Sequence, residues 1–207
     1  MIRILGRPGS INVRKVLWTA TEAGLPFVHE AQWGDSRDLR DTEFLALNPH
    51  GLIPVLIDEN TVLWESNTIC RYLAAQAGAI GLLPDAPAAR AEVEKWMDWQ
   101  ATELNSAWRA AFMALVRRHP DFHDDETAVA RSAAQWNAMM LVLEQRIKVT
   151  GAYITGESFT LADIVLGLSL QRWLMTPIAR PDSPVLLAYR DRLQRRPGAR
   201  ILDPALP

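Results

Sequence analysis

The chain has 207 residues, enough for one large unit or two small ones with a real core, and at 49% hydrophobic and 22% charged its composition is that of an ordinary globular protein. A formal net charge of −2 argues against a polybasic surface for nucleic acid or anionic lipid, and the apolar runs are far shorter than a membrane span, so neither partner is expected. The single cysteine, Cys70, rules out a disulfide framework and a C-x-x-C redox pair; the opening MIRILGRPGS reads as strand and turn rather than signal peptide, and a reducing cytoplasm is the expected location.

In chain order, Ile2–Leu5 is a short apolar strand, Arg7-Pro8-Gly9 a turn, and Ser10 the cap of a helix over 11–23 that Gly24 and Pro26 stop. A second strand over 27–31 leads to a polar stretch, 32–47, with a loop and a short helix. Val55–Asp58 and Thr61–Trp64 flank Glu59-Asn60 as a hairpin, and Ser66 caps a helix to about residue 77. The order β-α-β-α-β-β-α implies an α/β sandwich with a mixed sheet. Composition then shifts. The segment GLLPDAPAAR carries two prolines, and nearly everything after it has a helical period. The expected division is a unit over 1–80, a linker over 81–87 and an all-helical unit over 88–207. Its helices fall over 88–118, 126–149, 161–175 behind a capping box at Thr160 and Asp163, and from Pro184 to before Pro197-Gly198.

Three segments of the first unit carry chemistry. Ser10 sits at a strand-to-helix turn, where a hydroxyl in the field of a helix N-terminus can hold a thiolate or other anion; taken alone, a plain N-cap is the better reading. In Asn48-Pro49-His50-Gly51-Leu52-Ile53-Pro54-Val55, a proline just before a strand is either an edge-strand proline or the second residue of a cis bond that turns the backbone of Ile53 outward to pair with an extended peptide. In Trp64-Glu65-Ser66-Asn67, Ser66 at a helix N-terminus can take a carboxylate and Glu65 an ammonium group, or the pair is an ordinary cap.

Together, in this order and spacing, the three segments resemble the glutathione site of the cytosolic glutathione S-transferase family. The resemblance spans essentially the whole chain and is carried by N-P-x-G-x-I-P-V-L from Asn48, E-S-N-x-I-x-R-Y-L from Glu65 and F-T-L-A-D-I from Phe159. It implies a thioredoxin-like first domain, with a mixed four-stranded sheet, and an all-α second domain. It further implies a homodimer, built on the helix after Ser66 and the helix beginning near Ala88, that uses glutathione as co-substrate and no metal. Ser10 matches the serine of serine-type members, Ile53 (before Pro54) the residue whose backbone pairs with the glutathione cysteine, and Glu65 and Ser66 the pair that binds the γ-glutamyl end.

Further parts of the resemblance are narrower. The run from Trp96 to Asn105 is similar to bacterial beta-class enzymes, in which the position of Asp98 reaches the partner subunit's glutathione and that of Asn105 lies near the thiol. Ser10 with Asn12 is similar to the Thr-x-Asn pattern of nu-class enzymes, which reduce disulfides with two glutathiones. The implied function is activation of the glutathione thiol for attack on small hydrophobic electrophiles, a detoxification chemistry. The alternatives are a glutathione-dependent disulfide oxidoreductase and a non-catalytic scaffold on the same fold. Asp98, Thr102, Asn105, Arg109 and Phe112 fall at helical offsets and are expected on one face, with Trp108 beside it, as the wall for the electrophile or as a solvated face. His50 is a candidate for the glycine carboxylate or a surface histidine, while Cys70 reads as a buried inert thiol. His119, His123, Asp121, Asp124 and Asp125 read as a solvated loop rather than a metal site.

Overall fold

The computed structural model describes residues 1–122 and 125–202 of the chain. The first part runs β1 (Ile2–Leu5), α1 (Ile11–Glu22), β2 (Phe27–Glu30), α2 (Thr42–Leu47), β3 (Val55–Asp58), β4 (Thr61–Trp64) and α3 (Ser66–Gln76). The strands form one mixed sheet in the order β2-β1-β3-β4, with β1 and β2 parallel and the other pairs antiparallel. Side chains of a strand alternate between faces, and the core divides accordingly. Ile2, Ile4 and Leu56 pack with α1 and α3 in the main core, while Leu5 and Val55 turn to the opposite face, against Trp33 and Phe44.

The second part is helical: α4 (Pro87–Trp99), a π-helical turn (Gln100–Leu104), α5 (Asn105–Leu115), α6 (Glu126–Thr150), α7 (Leu161–Met175), α8 (Pro184–Leu193) and a final 3-10 turn, Pro197–Leu202. The α/β first domain and all-α second domain are therefore as expected, and α7 has the expected limits. Three local expectations change. Pro87, placed in the linker, is the first residue of α4, where its missing N–H costs nothing. The continuous helix expected over 88–118 is interrupted by the π turn, which adds a residue to the spiral and rotates everything after it relative to α4. Ser66 is also inside α3 rather than its cap; the cap position belongs to Glu65.

The α7 helix is the central post of the helical half, since every residue from Leu161 to Trp173 is buried. Its capping box forms: the Asp163 carboxylate accepts from the Thr160 N–H at 2.8 Å and the Thr160 hydroxyl at 3.1 Å. The same carboxylate accepts from the Ile154 N–H at 2.9 Å and the Tyr189 hydroxyl at 2.8 Å, so it ties the loop before α7 and α8 to one point. Burial pushes the Asp163 carboxyl up to about 6 despite these four donors. Phe159, just before the cap, sets its ring against Trp18 of α1 and Tyr153, at centroid distances of 6.0 and 5.7 Å. Trp18 is fully buried, and a Cβ added to Gly198 would stand 2.2 Å from its Cδ1. The glycine expected only as a stop signal is what lets the last turn close on α1.

Asp163→Ala is expected to destabilise the protein by at least about 3 kcal/mol, because it orphans several buried donors at ~1–3 kcal/mol each. Asp163→Asn, which keeps one acceptor oxygen, should lose less. Urea unfolding of the three proteins checks this, and a loss below about 1 kcal/mol for the alanine variant would refute the role.

Candidate active site

The site forms where β1 ends. Gly6 follows the strand at φ 140, and an added Cβ there would lie 2.6 Å from Val13 Cγ2 and 2.9 Å from Ile53 Cβ. Only glycine therefore lets the strand end, the start of α1 and the Ile53 turn converge. Ser10 caps α1: its Oγ accepts from the Val13 N–H at 3.5 Å, a long and weak bond, and its own proton is left to donate elsewhere. Arg117, at the end of the helical wall, donates to the Gly9 carbonyl at 3.0 Å and holds this turn against the second domain.

The Ile53–Pro54 bond is cis. The loop before it is pinned by Asn48, 2% exposed, whose Nδ2 donates to the Leu52 carbonyl at 2.8 Å and whose Oδ1 accepts from the His50 N–H at 3.1 Å. His50 stands edge-on to Trp64 with ring centroids 5.1 Å apart. Glu65 has φ 71 and ψ 107, a conformation costing a non-glycine residue roughly 1–3 kcal/mol. It presents an exposed carboxylate immediately before the N-terminus of α3, whose first residue, Ser66, is buried. Asn12, Asn48, His50, Leu52, Ile53, Pro54, Trp64, Glu65 and Ser66 line one narrow cleft of about 60 Å³.

A larger cavity of about 440 Å³ lies on the other side of the α1 N-terminus, between Ile11 and Asn12 and a wall that includes Asn105, Trp108, Arg109, Met113 and Arg172. Asn12 lines both spaces, and among the described residues its side-chain amide has no hydrogen-bond partner. Ser10 lines neither, although it is the residue between the turn and α1.

The expected polar stripe divides at the π turn. Asn105, Trp108 and Arg109 reach the cavity. Asp98 faces away from it, largely exposed and paired with Arg71 of α3 at 2.5 Å. Phe112 is 2% exposed and lies one layer behind the cavity surface, under the Arg172 guanidinium at 4.1 Å. Thr102 points outward and bonds the Asp98 carbonyl. Within the charged loop, His123 and Asp124 lie outside the described residues; among those described no metal-binding cluster occurs. Cys70 is buried and its thiol is pushed up to about 11 by that burial.

Sequence reasoning missed Asn48, Lys15, Gln100 and Arg172 as parts of the site region. Lys15 is the least expected. Its ammonium is buried in α1 and donates to Gln100 Oε1 at 2.6 Å and Asn67 Oδ1 at 3.3 Å; burial lowers its pKa to about 8. Gln100 Nε2 in turn donates to Asn105 Oδ1 at 3.0 Å, as does the Trp108 indole at 3.0 Å. A buried polar chain thus runs from α1 to the cavity wall. The only available signal was a lysine inside the apolar run of α1.

An α/β domain with a mixed sheet thus meets a helical domain across a cleft at the N-terminus of the first helix. Residues 5–81 match the family model for the glutathione S-transferase N-terminal domain and residues 105–197 that for the C-terminal domain. Glutathione S-transferase GstB of Escherichia coli (strain K12) is 37% identical over 97% of this chain and 96% of its own length. Glutathione S-transferase 3 of Zea mays is 34% identical over 78% of the chain and 73% of the relative. The theta-class glutathione S-transferase of Xanthomonas axonopodis pv. citri, solved with glutathione bound, superposes with a TM-score of 0.90 at 38% identity, covering 100% of this chain and 99% of that one. The chain belongs to the glutathione S-transferase family.

Lys15 makes a test by pH. Its ordinary pKa of 10.5 falls to about 8 in the folded protein. Between these values the unfolded chain binds a proton that the native site has shed, so this group adds stability as pH rises from about 8 to 10.5. Wild type should therefore gain stability relative to Lys15→Met across that window and show a constant difference below it. Chemical denaturation at a series of pH values reads the difference, and a flat difference across the window would contradict a buried, pKa-shifted Lys15.

Proposed function

We propose that this protein binds glutathione in the cleft of Ile53, Pro54, Glu65 and Ser66, activates its thiol as the thiolate beside Ser10 and Asn12, and delivers it to a small electrophile in the neighbouring cavity. The observation that carries this reading is the position of Asn12, which lines both the narrow cleft and the larger cavity at the N-terminus of α1. A reacting sulfur held there touches both spaces. The likeness over the full chain to a relative solved with glutathione bound supports the same assignment.

Each group then has a task. The Glu65 carboxylate receives the α-ammonium of the γ-glutamyl end, and Ser66, at the α3 N-terminus, its carboxylate. The Ile53 backbone pairs with the cysteine of the tripeptide, and His50 is the candidate for the glycine carboxylate. A free thiol ionises near pH ~8.5, so lowering its pKa by about two units needs roughly 2.7 kcal/mol of preferential thiolate binding. The Ser10 hydroxyl proton, the Asn12 amide and the helix dipole can supply it. The thiol proton leaves to solvent, the sulfur forms a bond to the electrophilic carbon, and the leaving group departs with its bonding pair. Asn105, Trp108, Arg109 and Phe112 form or back the electrophile wall.

The unpartnered amide of Asn12 also suits a second glutathione sulfur, which keeps the disulfide oxidoreductase as the second reading; side-by-side turnover of an aryl halide and a small disulfide separates them. The working protein in this reading is a cytoplasmic homodimer with detoxifying activity. It divides into a first domain over 1–80 and a helical domain that begins with α4 at Pro87, and Asp98 is close to the partner subunit's glutathione.

Ser10→Ala should raise the pKa of bound glutathione, so that activity falls at neutral pH and partly recovers at high pH. Thiolate absorbance of bound glutathione against pH, in both proteins, reads this directly; coincident curves would remove Ser10 and leave Asn12 as the activating group. Ser66→Ala should weaken glutathione binding by about 1.5–3 kcal/mol, the usual worth of a hydrogen bond to a charged group. Unchanged affinity by calorimetry would mean that Ser66 does no more than begin α3.

A further inference from the structure

The larger cavity has the wrong polarity for a purely apolar electrophile. Arg172 lines it from α7, in the middle of the most buried helix of the protein, and is itself only 4% exposed. Among the described residues its guanidinium has no hydrogen-bond acceptor and no carboxylate, and its Nε is buried without a partner. Two ring faces support it, Phe112 at 4.1 Å and Trp108 at 4.7 Å. The charged groups that act on it most are other cations, Arg14 and Arg117. Burial lowers its pKa to about 9, which still leaves it a cation at neutral pH. An unpaired buried charge is among the costliest features a fold can carry, and it is ordinarily matched by an opposite charge.

The rest of the lining has the same bias. Arg109 stands at the exposed rim, and among the described residues no aspartate or glutamate lines the cavity. The orientation of Asn105 is fixed from behind. Lys15 can only donate, so Gln100 must turn its oxygen to Lys15 and its Nε2 to Asn105, which then spends its own oxygen on Gln100 and the Trp108 indole. The Asn105 NH2 is left as a donor. Asn12 adds a second unpartnered amide. Among the described residues the cavity therefore offers two guanidiniums, two amide donors and no fixed negative charge, with about 440 Å³ beside an indole, enough for a substituted aromatic ring.

We infer that this cavity selects electrophiles bearing a carboxylate, which Arg172 and Arg109 bind while the ring lies along Trp108. The inference rests on the conjugation reading above and names its substrate class. With 4-chloro-3-nitrobenzoate, the glutathione thiolate attacks the ring carbon that bears chlorine. The C–S bond forms, the C–Cl bond breaks, chloride leaves with the bonding pair, the thiol proton goes to solvent and the carboxylate is unchanged.

The test compares 4-chloro-3-nitrobenzoate with 4-chloro-3-nitrobenzamide, each kcat/KM divided by its uncatalysed rate with glutathione. Wild type should favour the acid tenfold or more, and Arg172→Gln should cut that preference at least tenfold. Arg109→Gln, at the exposed rim, should reduce the same ratio and covers the case in which the buried variant does not fold. Equal corrected values for acid and amide in wild type would overturn the inference, as would a preference that neither variant reduces. Turnover of the amide without preference for the acid leaves conjugation standing and removes only the carboxylate site. If neither compound is turned over, the conjugation reading falls, and calorimetry of 3-nitrobenzoate against 3-nitrobenzamide with S-methylglutathione present still decides the site: tighter binding of the acid supports it, and equal affinities overturn it.

Discussion

The constraint on which the site depends is one buried ammonium. Lys15 lies inside α1, 1% exposed, and a buried cation persists only where acceptors are held in place for it. Those acceptors come from two other elements: Asn67 near the start of α3 and Gln100 at the start of the π turn. The helix that carries Ser10 and Asn12 is thereby tied to the helix that carries Ser66 and to the wall that carries Asn105. Asn67 completes the arrangement by donating from its own amide to the Met97 carbonyl at 2.8 Å, at the end of α4. Because lysine has donors only, the chain has a direction, and that direction sets which face of each amide is turned to the cavity.

The π turn is the second half of the same device. A regular α-helix through residues 88–118 would have placed Asp98 and Phe112 on the face of Asn105 and Arg109. The added residue turns Asp98 away, and it pairs with Arg71 outside the cavity, while Phe112, on α5 with Asn105 and Arg109, packs one layer deeper under Arg172. Phe112 and Trp108 then offer ring faces to a guanidinium that α7 sends up through the core. A helix irregularity, a buried lysine and a buried arginine therefore belong to one structural unit around the mouth of the cavity. Such local departures from the ordinary helix and the ordinary core concentrate where a fold has been adapted to a ligand.

The opposite side of the site is made rigid by different means. Gly6 allows β1, α1 and the Ile53 turn to touch, Asn48 closes the loop over 48–52 with its own side chain, and the capping box of α7 anchors the helical post that Arg172 extends from. Glu65 is held at positive φ between β4 and α3, where surrounding structure sustains a conformation that a free chain would rarely visit. Strain and close approach are spent on the cleft side, and buried charge on the cavity side.

Much of this was legible in the sequence. Alternation and turn residues marked the strands, glycine and proline marked the helix ends, and Thr160 with Asp163 marked the start of α7. The motif runs around Ile53-Pro54 and Glu65-Ser66 placed the cleft residues that the structure brings together. These are local properties, governed by backbone dihedrals and by hydrogen bonds between near neighbours, and a sequence carries them directly. What only the tertiary structure decided was the identity of the cavity wall. A single sequence has no local mark for a π turn, so helical spacing put Asp98 in the wrong place, and it could not show that Arg172 covers Phe112. Nor does it distinguish a buried lysine or arginine from a solvated one: Lys15 and Arg172 acquire their meaning from Gln100 and Trp108, which lie 85 and 64 positions away along the chain. Desolvation and amide orientation depend on what surrounds a group in space, and that is set by packing rather than by sequence neighbours.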